Sequence, residues 1–520
     1  MAKQLQSVSL GAAGFLGVNS MDPPLQQSLD YAETANHAVI DKFGRLGARK
    51  GFNLQTTTTD AGFDESTDTI EVIGEWSRPG NDPVLICAGN NNIFYITTDS
   101  AANDTLTSFT YPGGYTITGD KWQFLDFNQE LIMIQEGHAP LTLNETNWGT
   151  KALTTTESES AESVPDVPVA SCATAAYGRL WFGAPTGEPQ MVYWSDTLIA
   201  DGWTEGFSGS LNLATVWPNG YDEVVGIAAH NERLIIFGRN SFVVYSGATD
   251  PTNMELEDAI AGVGCVWRDS IVHTGEDIVF LSYTGVKSLA RTVLQNQLPS
   301  GDLTANIRNK LIADIVQETE NAIAGYSQEE TMYVITFKTS GTTYYLDYKS
   351  TLEEGRKKCT VWPGTPFQAW YRGDDGVLYT GGLGGFGTYA GFQDAGASYR
   401  FQYYGPALTF GDASRIKIVK KLISTIVGGV GRSMTVFWGY GYGSSYESEV
   451  FTIPAGSVAE FGIAEYNTAA EYSTGVATTD ADTNTTGSGE VVRVGIGVDV
   501  NGGEFSLQQL RVHVIMGRIV

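Results

Sequence analysis

The sequence predicts an all-β chain: an irregular β-propeller with an N-terminal arm and a C-terminal antiparallel β-sandwich. Three observations predict it. Only 17% of the 520 residues are charged, while 61 are Gly and 25 are Tyr, a balance that favours strands and tight turns over helices. An apolar hairpin recurs through the middle of the chain at nearly even spacing. Past residue 400 that spacing ends, and longer alternating strands take over.

The hairpins share one form: an apolar strand, a polar turn, and a second strand with an aromatic near its end. Leu85-Ile86 leads through Gly89-Asn90-Asn91-Asn92 to Phe94-Tyr95, and Leu234-Ile235-Ile236-Phe237 leads through Gly238-Arg239-Asn240 to Val243-Val244-Tyr245. The first strands begin at 85, 131, 180, 234, 278, 332 and 377, at successive intervals of 46, 49, 54, 44, 54 and 45 residues. Blades of a propeller are four-stranded sheets of roughly 40–50 residues that bury their faces only against neighbours. Residues 53–400 are therefore expected to form about six to seven blades, preceded by an arm at 1–52. The irregular intervals fit decorated blades, and no Trp-Asp signature recurs.

The arm contains a basic island. Asn36 to Phe52 carries Lys42, Arg45, Arg49 and Lys50 against one acid, Asp41, in a chain of net charge −28. Ahead of it, Gln27 to Ile40 places Leu29, Ala32, Ala35, His37 and Val39 in a helical pattern. Gly44, Gly47 and Gly51 then predict a turn-rich passage. A helix, a turn and a first strand with solvated cations is one reading of the island; a docking element outside the main domain is the other. Leu303 to Thr319 predicts an inserted helix, with Ile307, Leu311, Ile312 and Ile315 on one face. Two acidic polar stretches, Thr154 to Pro168 and Thr478 to Glu490, are expected to be loops.

Residues 401–520 are expected to form the sandwich, with strands at Arg415–Val419, Met434–Trp438, Val491–Ile496 and Leu510–Ile515. A second basic cluster, Arg415, Lys417, Lys420 and Lys421, lies on the first of these. Alternation with Ile416 and Ile418 predicts that Arg415 and Lys417 share a face. A third cluster is Arg356 to Lys358. Solvation is the default for such clusters, and a contact with an acidic neighbouring subunit is the alternative.

No motif announces catalysis. Gly382-Leu383-Gly384-Gly385-Phe386-Gly387 matches G-x-G-x-x-G but lacks the following helix that a dinucleotide site needs. Asp480, Asp482 and Asn484 begin like a calcium loop, yet Thr485 stands where its sharp-turn Gly belongs. The five histidines form no H-x-x-x-H, and Cys87, Cys172, Cys265 and Cys359 form no C-x-x-C, so neither zinc nor another metal is expected. The cysteines sit in or beside apolar runs and read as buried free thiols. Ser195-Asp196 and Asp374-Asp375 are carboxylate candidates for glycoside hydrolysis, but the repeated turn of sialidase-type propellers is missing. No enzyme activity and no cofactor are expected. The acidic balance argues against a general phosphate-binding surface. The N-terminus lacks the apolar core of a signal peptide, and no apolar run has the length to span a bilayer.

Three groups of residues carry a resemblance. Gly14-Phe15-Leu16-Gly17-Val18-Asn19, with Asn36, Ile40-Asp41, Gly44-Arg45-Leu46 and Arg49-Lys50-Gly51-Phe52, resembles the N-terminus of the tail nozzle proteins (tail tubular protein B) of short-tailed bacteriophages and the related packaged-DNA stabilisation proteins. Gly262 to Val266, Arg268-Asp269-Ser270-Ile271-Val272, Gly275, Asp277 to Ser282 and Gly285-Val286 resemble the most distinctive stretch of that family. Phe410-Gly411-Asp412, Gly428 to Gly431, and Ser506-Leu507-Gln508 with Gly517-Arg518-Ile519 resemble its C-terminal part. The resemblance implies a structural protein of the virion, made in the host cytoplasm. It implies a homo-oligomeric ring, six-fold in the family, below the portal and adaptor and next to tail fibre, needle or tip proteins. Such a ring lines the channel for double-stranded DNA and helps retain and release the genome; acidic walls would repel phosphates there. A carbohydrate-binding or carbohydrate-cleaving propeller using Trp and Tyr as sugar platforms is the alternative, and a receptor-binding tail tip is a third.

Overall fold

The computed structural model describes residues 5–519 except 12–13, 60–62, 78–81, 99–103, 112–114, 116, 118–120, 144–149, 153–166, 205, 296–301, 353–354, 430, 442, 444 and 455–477. The chain is all-β, built mainly of small antiparallel sheets. Each predicted hairpin is a pair of adjacent strands within one of them. The first sheet runs Val72–Trp76, Val84–Gly89, Asn92–Thr98 and Asp104–Ser108, with Thr56–Thr59 added in parallel outside. The second runs Trp122–Phe127, Glu130–Gln135, Leu141–Leu143 and Thr150–Ala152, and the third Cys172–Ala176, Arg179–Gly183, Met191–Trp194 and Gly209–Asn212. The fourth is Val224–His230, Arg233–Gly238, Ser241–Ser246 and Glu255–Ala261. The fifth has three strands, Val272–His273, Ile278–Ser282 and Gly285–Ser288.

Helices Leu289–Gln295 and Arg308–Gln317 follow that short sheet. The second is the predicted helix, trimmed at both ends, with Leu311 and Ile315 buried. The sixth sheet begins Ala322–Ser327, Met332–Phe337, Thr342–Asp347 and Lys358–Trp362. The seventh takes Ala369–Arg372, Leu378–Gly382 and Gly385–Ala390 from the middle of the chain and Gly51–Leu54 from its beginning.

First strands of successive sheets touch in order from Val72–Trp76 to Val224–His230. The short helix Arg268–Ser270 carries the contact onward to Ala322–Ser327, which touches Ala369–Arg372, and this strand touches Val72–Trp76 again. Glycines permit the approach. A Cβ on Gly74 would lie 2.9 Å from Phe124 Cβ, one on Gly226 2.4 Å from Ile271 Cδ1, and one on Gly325 2.6 Å from Trp370 Cβ. Separate apolar clusters fill the gaps: Trp76, Ile86, Trp122 and Met133 between the first two sheets, Ile132, Ile134, Leu180 and Phe182 between the next two. Trp181, Trp194, Ile227 and Ile236 follow, then Ile235, Phe237, Ile278 and Phe280. A sheet buried on both faces can have apolar residues at every position, which is why the hairpins read as apolar runs rather than clean alternation.

The C-terminal strands form two stacked sheets. One is fused to the sixth sheet: Lys358–Trp362 continues through Thr34–Asn36 to Tyr399–Tyr404, Val492–Val500, Ser433–Tyr440 and Glu447–Thr452. The other runs Ala38–Ile40, Leu46–Ala48, Phe505–Ile519, Arg415–Gly428 and Thr478–Asn484, with Leu5–Leu10 also on Phe505–Ile519. Met434, Val436, Val494 and Ile496 of one sheet share a core with Leu422, Ile426, Val512 and Val514 of the other.

Several expectations are corrected here. Residues 5–54 are no separate arm, because their strands pair with sheets on both sides of residue 400. Boundaries at 52 and 400 thus cut hydrogen-bonded ladders. The helical pattern of Gln27 to Ile40 becomes the short strands Thr34–Asn36 and Ala38–Ile40, since Ala35 and Ala38 are fully buried between long-range partners. Thr478 to Asn484, read as part of a loop, is a strand, with Ala481 and Thr483 buried and Asp480 and Asp482 outside. Residues 154–166 of the other acidic stretch lie outside the described residues.

Candidate functional site

The first basic island sits on the hairpin Ala38–Ile40/Leu46–Ala48 and the passage into Gly51–Leu54. Its cations split into two kinds. Lys42 is exposed at the hairpin tip, its ammonium 5.2 Å from the ring centre of Phe43, itself 47% exposed. Arg45 is buried. Its Nε donates to Asp41 Oδ2 at 2.7 Å, and its guanidinium lies 4.7 Å from the Phe43 ring.

Arg49 is 0% exposed. Nη1 and Nη2 donate to the two carboxylate oxygens of Asp394, at 2.8 and 2.5 Å, and Nε donates to His37 Nδ1 at 3.0 Å. The rings of Tyr399 and Phe367 lie 4.1 and 5.1 Å from the guanidinium. Burial, reinforced by Arg49, depresses the His37 pKa from 6.5 to about 3. His37 is therefore a neutral acceptor. Lys50 is half-buried and pairs with Glu330 at 2.5 Å. Arg45 and Arg49 are thus buried and bond within their own chain, Arg49 bidentately to Asp394 and Arg45 through Nε to Asp41.

The second cluster divides likewise. Arg415 is exposed and 3.4 Å from Asp412. Lys417 is fully buried and donates to the Asp412 carbonyl, so the predicted shared solvent face for these two does not form. Lys420 is exposed, while Lys421 pairs with Asp482 at 2.7 Å. Of the third cluster, Lys357 is buried with its ammonium 4.3 Å from the Tyr348 ring.

A different cation joins the sheets. Arg268 opens the short helix Arg268–Ser270 and donates through Nη1 to the Ser171 carbonyl at 2.9 Å, through Nη2 to the Trp122 carbonyl at 3.3 Å, and through Nε to Asp269 at 2.8 Å. Asn321 holds the other oxygen of Asp269. Burial alone would raise the Asp269 pKa, but Arg268 outweighs it and holds the carboxyl below its ordinary range. One side chain so links the second and third sheets and, through Asp269, the entry to the sixth. A polar cavity of about 680 Å³ adjoins this hub, lined among others by Lys121, Glu136, Glu223, Arg239 and Glu320. The sequence had marked Arg268-Asp269 only through the resemblance, because a lone Arg-Asp pair has no pattern of its own.

The remaining candidates are turn residues. Ser195 is buried and its hydroxyl accepts from Leu180 N; Asp196 caps Thr197 N. Asp375 accepts from Val377 N and the Tyr379 hydroxyl. Gly382 to Gly387 is the hairpin turn of the seventh sheet, not a strand-to-helix loop. The four cysteines are free and buried, and burial pushes the Cys172 and Cys265 thiols up to about 12. Among the described residues no three His, Cys, Asp or Glu side chains are placed to hold a metal ion. None of the described helices is long and apolar enough to cross a membrane.

No family model and no curated protein matches the sequence. Among solved structures, the extracellular domain of a one-component system from B. thetaiotaomicron aligns at 8% identity and a TM-score of 0.38, over 67% of this chain. The chain spans only 40% of that protein. Hsv2 of Kluyveromyces lactis aligns at 9% identity and a TM-score of 0.32, over 54% of this chain and 82% of its own. Scores this low carry no shared fold.

Proposed function

We propose that this chain is a structural subunit of a short-tailed phage tail, in which copies form a nozzle ring below the portal and adaptor. In this reading the seven sheets are the blades of an irregular propeller, closed by the N-terminal strand Gly51–Leu54. The ordered contacts of their first strands and the apolar cluster in each gap support that arrangement.

The observation that carries the functional reading is where the resembling residues fall. Several of them lie at joints of the molecule, while Gly14, Gly44, Gly275, Gly411 and Gly431 face open space. Gly17 lies where a Cβ would come within 2.7 Å of Cys359 N, and Gly51 where one would collide with the Gln393 carbonyl. Arg49 locks the N-terminal segment to Asp394, and Arg268 is the hub. These four residues that carry the resemblance thus serve architecture, which supports the reading of a conduit subunit.

The middle of a single chain is no conduit. Arg268 bridges the strands there, and a DNA duplex is wider than its own major groove of about 12 Å. A DNA channel would belong to the assembly, with this chain's acidic surface toward the phosphates. Sugar platforms fare worse: nine tryptophans, including Trp76, Trp122, Trp181 and Trp362, are buried in cores. The test is electron microscopy of the purified chain, alone and mixed with the adaptor of the same particle. Rings with an open lumen are expected. A chain that stays single in both samples removes the reading.

A further inference from the structure

The C-terminal sheet ends in two open edges that match each other. Along one path its strands run Leu5–Leu10, Phe505–Ile519, Arg415–Gly428 and Thr478–Asn484, all antiparallel, and the hairpin Ala38–Ile40/Leu46–Ala48 sits beside Leu5–Leu10 on the same side of Phe505–Ile519. Among the described residues, neither Leu5–Leu10 nor Thr478–Asn484 has a second partner. We propose that Leu5–Leu10 of one copy pairs with Thr478–Asn484 of the next, continuing the sheet across the subunit boundary. The inference rests on the ring reading and names its contact.

Four features select a second copy as the occupant. Polarity comes first. Four alternating strands leave the two outer ones antiparallel, so a copy repeated in the same orientation presents Leu5–Leu10 antiparallel to Thr478–Asn484. Antiparallel pairing needs no crossover and gives perpendicular hydrogen bonds. Length is the second: the strands have six and seven residues. The third is the in/out pattern. Ser7 and Ser9 are exposed beside the partly buried Val8 and buried Leu10, while Asp480 and Asp482 are exposed beside buried Ala481 and Thr483. Over Ser7–Leu10 joining the edges can therefore extend both the polar face and the apolar face without a register conflict, with exposed Leu5 on the polar face and exposed Gln6 on the apolar one.

Side-chain chemistry is the fourth. The Leu5–Leu10 strand carries no charge, and its serine hydroxyls can donate to carboxylates. Thr478–Asn484 placed against its own copy would set Asp480 and Asp482 against the same acids, which is repulsive, though Lys421 at 2.7 Å from Asp482 and Arg511 at 3.5 Å from Asp480 reduce the repulsion. The two aspartates thus disfavour the edge pairing with itself but not with Leu5–Leu10. Neither strand contains Pro or Lys, the usual guards of an exposed edge. Two different edges on opposite sides of one sheet make a head-to-tail contact, the kind that closes into a ring when the rotation allows.

The test uses engineered cysteines in the full chain, whose four native thiols are all buried. Ser7→Cys or Ser9→Cys is combined with Asp480→Cys or Asp482→Cys, and the concentrated protein is oxidised. Directly opposed strand residues have Cβ atoms about 4.5–5.5 Å apart, so at least one of the four pairs should give a covalent ladder extending beyond dimers. Single-cysteine variants should stop at dimers. A second arm tests charge. Ser7→Asp with Ser9→Asp should reduce association at least tenfold, and adding Asp480→Ser with Asp482→Ser should restore it. Rings that form without any ladder and ignore the Ser-to-Asp change overturn this contact while leaving the ring reading intact. Monomers under all conditions overturn both.

Discussion

Arg49 and His37 show what a buried cation demands of its surroundings. The guanidinium has three kinds of partner: a bidentate carboxylate, an imidazole nitrogen and aromatic faces. Arg49→Met removes the charge and leaves Asp394 ionised in a site built to answer it. Breaking a buried pair in this way costs about 3–5 kcal/mol. Arg49→Lys should rescue little, since an ammonium cannot reproduce the fork. Urea unfolding midpoints of the two variants check this, and near-wild-type midpoints would contradict it. For the same reason, charge reversal at Arg45, Arg49 and Lys50 would test folding, not docking.

His37 adds a pH dependence whose sign is fixed. Its folded pKa is about 3, below the ordinary 6.5. Between those values the unfolded chain binds the extra proton, so stability falls as pH drops through that window and is fully present above about 6.5. Arg49, Asp394 and Tyr399 are the charged and titratable groups around the ring. Between pH 7 and 4.5 the wild type should lose up to about 3 kcal/mol that His37→Gln does not lose. Equal pH profiles would show that the ring is protonated or solvated in the folded chain.

At the scale of elements, the sequence was legible where contacts are local. All seven hairpins occur, because a buried two-strand turn writes an apolar run and a polar break into adjacent residues. The first strands were harder to see. Cys172-Ala173-Thr174-Ala175-Ala176 and Ala322-Ile323-Ala324-Gly325 are rich in small residues, since successive sheets approach most closely there. A first strand after the Gly-rich turns was legible as Gly51–Leu54, but its partner was not, because Gly385–Ala390 lies more than 300 residues away. Thr34–Asn36 and Thr478–Asn484 likewise owe their strand state to distant ladders that override local preference. Of the predicted basic sites, sequence located the cations but could not tell Lys42 from Arg49, because burial is decided by Asp394 and the aromatic cage. The Gly51 position tests the pairing of Gly51–Leu54 with Gly385–Ala390. A Cβ there would stand 1.9 Å from the Gln393 carbonyl oxygen, a backbone atom that cannot swing aside. Gly51→Ala should destabilise by about 1–3 kcal/mol or more. Faster amide exchange should concentrate in Gly51–Leu54 and Gly385–Ala390, and unchanged exchange in both would contradict that close approach.

For the whole molecule, the proposed ring raises the question of how a chain of net charge −28 would associate with copies of itself. Cation–acid contacts between subunits would require cations available at the surface. Arg45 and Arg49 already bond inside the chain, and Lys50, Arg415 and Lys421 each have an acidic neighbour in their own chain. Lys42 and Lys420 remain exposed, one at the tip of the Ala38–Ile40/Leu46–Ala48 hairpin and one on the C-terminal sheet. With a net charge of −28 and two island cations left exposed, like-charge repulsion should dominate the approach of two copies, and backbone pairing and apolar contact would have to supply the attraction. Salt screens the repulsion, with a Debye length near 10 Å at 0.1 M and about 3 Å at 1 M. Raising the salt should therefore promote association rather than dissolve it. Sedimentation at 0.05 M and 0.5 M salt reads the result directly, and Lys42→Glu with Lys420→Glu should shift the curve to higher salt without changing its direction. Association that weakens as salt rises would mean that ion pairs between copies outweigh the net charge, and would return the basic islands to the interface.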